Sequence, residues 1–179
     1  MIILCGQSAV GKTEIAKKLS MKYDITKVVT TTTRPIRKGE INDKDYHFVT
    51  KEKFLLLKNQ DAFIETTEYN GNYYGCTKDE VKLDRVVILE PNGVKNFLKL
   101  NDPSIIVIVL SAKEETRRKR MMSRGDSKED IDRRIKGDKE HFKDLSFANS
   151  IIDTENKTIE QICDEVYHKY QENIKKASI

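Results

Sequence analysis

Gly6-Gln7-Ser8-Ala9-Val10-Gly11-Lys12-Thr13 is the stretch whose surroundings decide the fold class. It follows the apolar run Ile2 to Cys5, and after it Ile15, Ala16, Leu19 and Tyr23 recur at three- and four-residue spacing. Strand, glycine-rich turn and helix are predicted in that order. In that setting the pattern G-x-x-x-x-G-K-[ST] is a phosphate-binding loop. Gly6 and Gly11 let the backbone turn tightly and come close to phosphate with no Cβ in the way. The N–H groups of Gln7, Ser8, Ala9 and Val10 are then expected to turn inward, and the helix that follows adds its positive N-terminal end. Lys12 brings a cation for the β- and γ-phosphates of ATP, and the Thr13 hydroxyl is a ligand for Mg²⁺. A chance match in a glycine-containing turn is the bland alternative, and the strand-to-helix placement argues against it. The motif is silent about what receives the phosphate.

Working outward, Val86 to Leu89 and Ile105 to Leu110 are short runs rich in Val and Ile, suited to strands buried on both faces. Parallel strands covered by helices make an α/β fold, here a P-loop NTPase fold with a central parallel sheet. Capping boxes are expected at Ser111 with Glu114, Thr77 with Glu80 and Thr158 with Gln161. The last of these opens a helix carrying Ile159, Ile162, Val166, Tyr170 and Ile174 on one face, which is predicted to pack on the sheet.

Two segments break the alternation. Residues 30–81 alternate polar and aromatic types and are predicted to form a small, mostly antiparallel insertion. Residues 114–140 are dense in Arg and Lys, with Gly125 between two helical stretches, and are predicted to form a solvated helical lid. The core of a single domain is left to residues 1–29, 82–113 and 141–179. Arginines carried on such insertions are expected to reach phosphates only when the insertions close.

Composition narrows the class without naming it. Charged residues are 35 % and aromatics 7 % of the 179 residues, and the net charge of +4 suits an enzyme that handles polyanionic small molecules. Basic residues without interleaved aromatics argue against a nucleic-acid surface. Cys5, Cys76 and Cys163 are scattered, with no metal-ligand spacing and no disulfide framework, so a reducing, cytoplasmic setting is the expectation. No apolar run approaches the roughly 18 residues of a membrane span, and MIILCGQ is read as a strand rather than a signal peptide. No membrane partner is expected, and oligomeric state is left open.

Further motifs carry a resemblance. Thr32-Thr33-Arg34-Pro35-Ile36-Arg37-Lys38-Gly39-Glu40, Asp45-Tyr46-His47-Phe48, Phe63-Ile64-Glu65 and Gly71-Asn72-Tyr73-Tyr74-Gly75 resemble the guanylate kinase family in order and spacing. The likeness continues through Gly93-Val94-Lys95, Ser123-Arg124-Gly125 and Arg133-Arg134, so it spans nearly the whole chain. It implies a nucleoside monophosphate kinase that moves the γ-phosphoryl group of MgATP to GMP or dGMP.

By that resemblance Arg34 and Arg37 clamp the acceptor phosphate, with Thr30 and the hydroxyls of Tyr46 and Tyr74 as further contacts. Two guanidinium groups three residues apart beside a turn are chemically suited to that clamp. Glu65 is implied as the reader of guanine, since one carboxylate can accept from N1–H and the N2 amino group together. On sequence alone, Glu65 on a half-exposed strand pointing to water is an equal alternative. Arg120 and Arg124 are assigned to ATP, and Lys12, Arg34, Arg124 and Arg134 to stabilising the transferring phosphoryl group. Arg118 and Lys119 are read as a solvated helix face.

The pattern breaks at three places. Cys76 stands where the family has Ser or Thr, and a thiol is a weaker donor to guanine O6. In Val87-Ile88-Leu89-Glu90 the family's two Asp are Ile88 and Glu90, of which only Glu90 can accept from a base or from Mg²⁺-bound water. Asp153 stands where Asn is common. A different acceptor, either another monophosphate or a ribose bisphosphate, is the alternative that keeps the chemistry. A non-catalytic guanylate-kinase-like module is the alternative that abandons it.

Overall fold

The structure, a computed structural model, describes residues 1–36, 40–69 and 71–177. The elements run β1 (Ile2–Gly6), α1 (Lys12–Tyr23), β2 (Thr26–Lys27), β3 (Thr31–Thr32), β4 (His47–Phe48), α2 (Lys51–Asn59), β5 (Phe63–Tyr69) and β6 (Asn72–Thr77). They continue with β7 (Arg85–Ile88), α3 (Pro91–Leu98), β8 (Ile106–Ser111), α4 (Glu114–Ser123), α5 (Lys128–His141), β9 (Ser150–Asp153) and α6 (Ile159–Ala177).

The main sheet has the order β2-β7-β1-β8-β9, with every neighbouring pair parallel. Side chains alternate across β1. Ile2 and Leu4 join Ile15 and Leu19 of α1 and Ile162 and Val166 of α6 on one face. Ile3 and Cys5 join Val94 and Phe97 of α3 on the other. Both faces of the strand are therefore buried, which is why β1, β7 and β8 read as continuous apolar runs. The chain moves from β1 toward β7 and β2 in one half and toward β8 and β9 in the other. The carboxyl end of β1 thus lies at the switch point of the sheet, where open α/β folds bind ligands.

The second sheet, β4-β3-β6-β5, lies within the insertion. β6 runs antiparallel to both β3 and β5, while β3 and β4 are parallel. Its anchor is Phe54 of α2, which is fully buried and stacks on Phe63 at 4.5 Å and Tyr73 at 5.4 Å. Truncating such a ring to alanine typically costs about 3–5 kcal/mol, so Phe54 holds α2 to this sheet.

Three local expectations need correction or limits. Ser111 does not cap α4: it is the last residue of β8, and the N-cap position is Lys113 with no side-chain bond. Thr77 precedes a 3₁₀ turn, Lys78–Glu80, also without a side-chain cap bond. Thr158 and Gln161 do form the reciprocal box, with bonds of 2.9 Å and 3.2 Å. Caps not anticipated occur at Thr50, which accepts from Lys53 N–H, and Ser127, which accepts from Asp130 N–H.

The lid is less solvated than its composition predicts. Met121 of α4 and Ile131 and Ile135 of α5 form a small buried cluster, and Ala9 of the phosphate-binding loop packs against it. Among the described residues, no helix is long and apolar enough to cross a membrane.

Candidate active site

The loop leaves β1 at Gly6, where a Cβ would stand 2.4 Å from the carbonyl oxygen of Leu110 on β8. Only glycine fits there. Gly11 (φ 102°) turns the chain into α1 and supplies no side-chain cap, so the first-turn N–H groups face the loop without a side-chain acceptor. A cavity of about 460 Å³ opens over the loop. Lys12, Thr13, Glu90, Arg120, Arg124 and Arg134 all line it together with Ser8, Ala9, Val10 and Gly11. Three lid arginines therefore already face the loop, against the expectation that closure alone would bring them there. The reason is the packing of Ala9 into the lid cluster, reinforced by Arg120 Nη1, which donates to Ala9 O at 3.2 Å.

Lys12 Nζ donates to the carbonyl oxygens of Gly6 and Gln7. Burial pushes its pKa below the ordinary lysine value, and the carboxylate of Glu90 pulls in the opposite direction. Ser8 departs from the expected inward cradle. Its N–H donates to Asp138 Oδ2 at 3.0 Å and its hydroxyl to Asp138 Oδ1 at 3.3 Å.

A second cavity, about 410 Å³, lies between the insertion and the end of β7, with Thr30, Glu65, Tyr74, Cys76, Ile88 and Glu90 on its walls. Glu90 lines both cavities. It occupies the N-cap position of α3, just beyond the end of β7, where the two sites meet. The β5–β6 register shifts between Phe63 and Glu65. A bulge of this kind re-aims the following side chain. Glu65 faces the cavity rather than bulk water, and its Oε2 would lie 3.3 Å from a Cβ on Gly93 of α3. The Cys76 thiol, buried and near Glu80 and Glu65, is pushed up to about 12 and stays protonated. It donates to Thr77 O at 3.7 Å.

Arg34 sits beside this second cavity. It forms a bidentate pair with Glu40, at 2.7 Å and 3.0 Å, and lies over the Tyr46 ring at 5.3 Å. Tyr46 in turn meets Tyr74 edge to face at 6.3 Å. Arg34, Tyr46 and Tyr74 are thus one cluster, continuous through Tyr74 with the pocket that holds Glu65. Arg37 lies outside the described residues. Asp153 is exposed on β9 and accepts from Glu155 N–H, away from both cavities.

Among the described residues no group of carboxylates, His or Cys forms a metal cage. Mg²⁺ in kinase sites needs none, since it keeps several waters and takes one or two protein groups beside the phosphates. A hydroxyl at Thr13 and a carboxylate at Glu90 in one cavity fit that pattern.

No sequence motif includes Arg117 or Asp138. The signal was present in the periodicity: Ile131, Ile135 and Asp138 fall on one helix face, and Arg117 lies one turn before Met121. A charged residue at an apolar position of each lid helix marks a buried pair.

The chain has clear relatives. A family model described as guanylate kinase matches residues 1–173. The guanylate kinase of Anaplasma phagocytophilum is 33 % identical over 147 residues, covering 76 % of this chain and 70 % of the relative. That of Nostoc sp. is 34 % identical over 150 residues, covering 79 % and 75 %. A crystal structure of the Anaplasma phagocytophilum guanylate kinase superposes with a TM-score of 0.65 at 26 % identity, covering 96 % of this chain and 84 % of that one. An uncharacterised protein from Eubacterium ventriosum shares the fold, with a TM-score of 0.55 at 15 % identity.

Proposed function

The chain belongs to the guanylate kinase family, and from that premise we propose how its own residues carry the transfer of the γ-phosphoryl group from ATP to GMP. The observation that carries the reading is the pair of cavities meeting at Glu90, one floored by residues 8–13 and the other lined by Glu65.

ATP places its phosphates over residues 6–13, with Lys12 against the β- and γ-phosphates and Arg120, Arg124 and Arg134 facing them from the lid. GMP places guanine against Glu65, which accepts from N1–H and the amino group. The acceptor phosphate goes to Arg34, Arg37, Thr30 and the hydroxyls of Tyr46 and Tyr74. A phosphate oxygen of GMP then forms the new P–O bond as the bond from the γ-phosphorus to the bridging oxygen of ADP breaks. The transition state spreads negative charge over the moving group, so catalysis rests on alignment and on cations already in place. Lys12, Arg124 and Arg134 supply those cations on the donor side and Arg34 on the acceptor side. Mg²⁺ would be held by the Thr13 hydroxyl, with Glu90 accepting from its waters, and would supply positive charge against the donor phosphates.

ATP and a nucleoside monophosphate are the partners this reading requires, and no nucleic acid or membrane enters it. A cytoplasmic setting agrees with three free, buried cysteines. The test is ADP release against GMP, dGMP, AMP, dAMP, CMP, UMP, dTMP and ribose phosphates. Release with guanine nucleotides and Mg²⁺ supports the assignment, and release only with a ribose phosphate, or with none of them, refutes it.

A further inference from the structure

The reaction described above leaves one buried charged pair without a role. Arg117 is 2 % exposed and Asp138 is 7 % exposed, and they meet at 2.6 Å between α4 and α5. A buried ion pair adds little net stability over an apolar pair of similar volume. Apolar neighbours stand ready here, since Met121, Ile131 and Ile135 already pack between the same helices. Packing does not explain the charges.

Their reach does. Asp138 points out of the lid to the phosphate-binding loop, where it accepts the N–H of Ser8 at 3.0 Å and its hydroxyl at 3.3 Å. Arg117 Nη1 donates to the same Oδ2 that takes the Ser8 N–H, which holds that oxygen in place. The next residue, Ala9, has φ 63°, a region that side chains other than glycine seldom adopt. Its carbonyl is held by Arg120 and its methyl by the lid cluster. Ser8 and Ala9 are thus gripped from the lid side while their other side forms the donor cavity.

We propose that Arg117 and Asp138 are positioning residues for the phosphoryl donor: through Ser8 they fix the shape of the phosphate-binding loop and tie it to the lid. An apolar pair would fill the same space but would offer Ser8 no acceptor. The inference rests on the reading of residues 6–13 as the ATP site.

The test is the double replacement Arg117→Leu/Asp138→Ala in the full chain, which removes both charges together and strands neither. Thermal melting should fall by no more than about 5 °C. ATP affinity by calorimetry and KM for ATP should both weaken by about tenfold or more, while KM for GMP stays within about twofold. A variant that melts and binds ATP like the parent overturns the proposal. If the double variant does not fold, Ser8→Ala decides, because it removes only the hydroxyl bond. In the parent, ADP should slow hydrogen exchange along α5, and Ser8→Ala should lose much of that protection. Equal protection in both overturns the proposal. A parent that binds ATP but transfers no phosphoryl group refutes the proposed function instead, and leaves the binding comparison standing as the test of the pair.

Discussion

Arg34 and Glu40 hold each other through two parallel hydrogen bonds, at 2.7 Å and 3.0 Å, with the Arg34 guanidinium laid over the ring of Tyr46. The fork is planar and already aimed, so under the proposed reading an acceptor phosphate would exchange with the Glu40 carboxylate without reorganising Arg34. Lysine cannot copy this geometry, because its ammonium is a point charge and does not stack. Arg34→Lys should raise KM for GMP by roughly 10–100-fold while leaving KM for ATP nearly unchanged. Steady-state kinetics with each substrate varied separately check this, and a loss confined to ATP would contradict the assignment.

Lys12→Ala should leave the fold intact and lower turnover by at least about 10²-fold, the scale of removing one charge stabiliser. The lysine must be protonated to work, and burial holds its pKa below the ordinary value of 10.5. Activity should therefore fall as pH rises through that lowered pKa, earlier than an exposed lysine would allow. A pH profile of kcat/KM for ATP that stays flat beyond pH 10.5 would contradict it.

Glu65→Gln replaces an acceptor pair with an amide that sets N–H against N–H. Sites built on such bonds discriminate by roughly 10⁴, so guanine nucleotide use should collapse while any weak use of other monophosphates changes little. An equal fall on every acceptor would mean that Glu65 serves the fold rather than the base.

Cys76→Ser should act in the opposite direction. The thiol is buried and neutral, pushed up to about 12, and a hydroxyl is the better donor to guanine O6. KM for GMP should tighten by the worth of one ordinary hydrogen bond, about 0.5–1.5 kcal/mol. Competition between GMP and AMP in one assay would show whether the change sharpens base choice.

Gly75→Ala tests the wall of the acceptor cavity. The new Cβ would stand 2.7 Å from the Phe63 ring and 3.1 Å from Glu65 O. Phe63 is locked against Phe54, so the clash falls on the β5 bulge that aims Glu65. Destabilisation of about 1–3 kcal/mol is expected from denaturant unfolding, together with a higher KM for GMP and an unchanged KM for ATP.

The strand, turn and helix around residues 6–13 were legible in eight consecutive residues and their flanks, because a local motif contains its own geometry. β1, β7 and β8 were legible for a related reason: burial on both faces leaves continuous Val and Ile runs. The helix of Thr158 and Gln161 announced itself through a cap that closes within four residues. Failure began where a partner lies far along the chain. Ser111 has the spacing of a cap, yet pairing with β9 claims it for the sheet. Glu65 on an alternating strand gives no sign of which way it faces, and only the bulge opposite Cys76 turns it to the cavity. Arg117 and Asp138 look like two more charges in a charged lid. They become a buried pair only when α4 and α5 fold together over Ser8, 130 residues from Asp138. Local pattern thus determined the turn that joins β1 to α1. Tertiary packing decided where each charge ends up, because burial and electrostatic pairing depend on neighbours in space, which spacing along the chain does not encode.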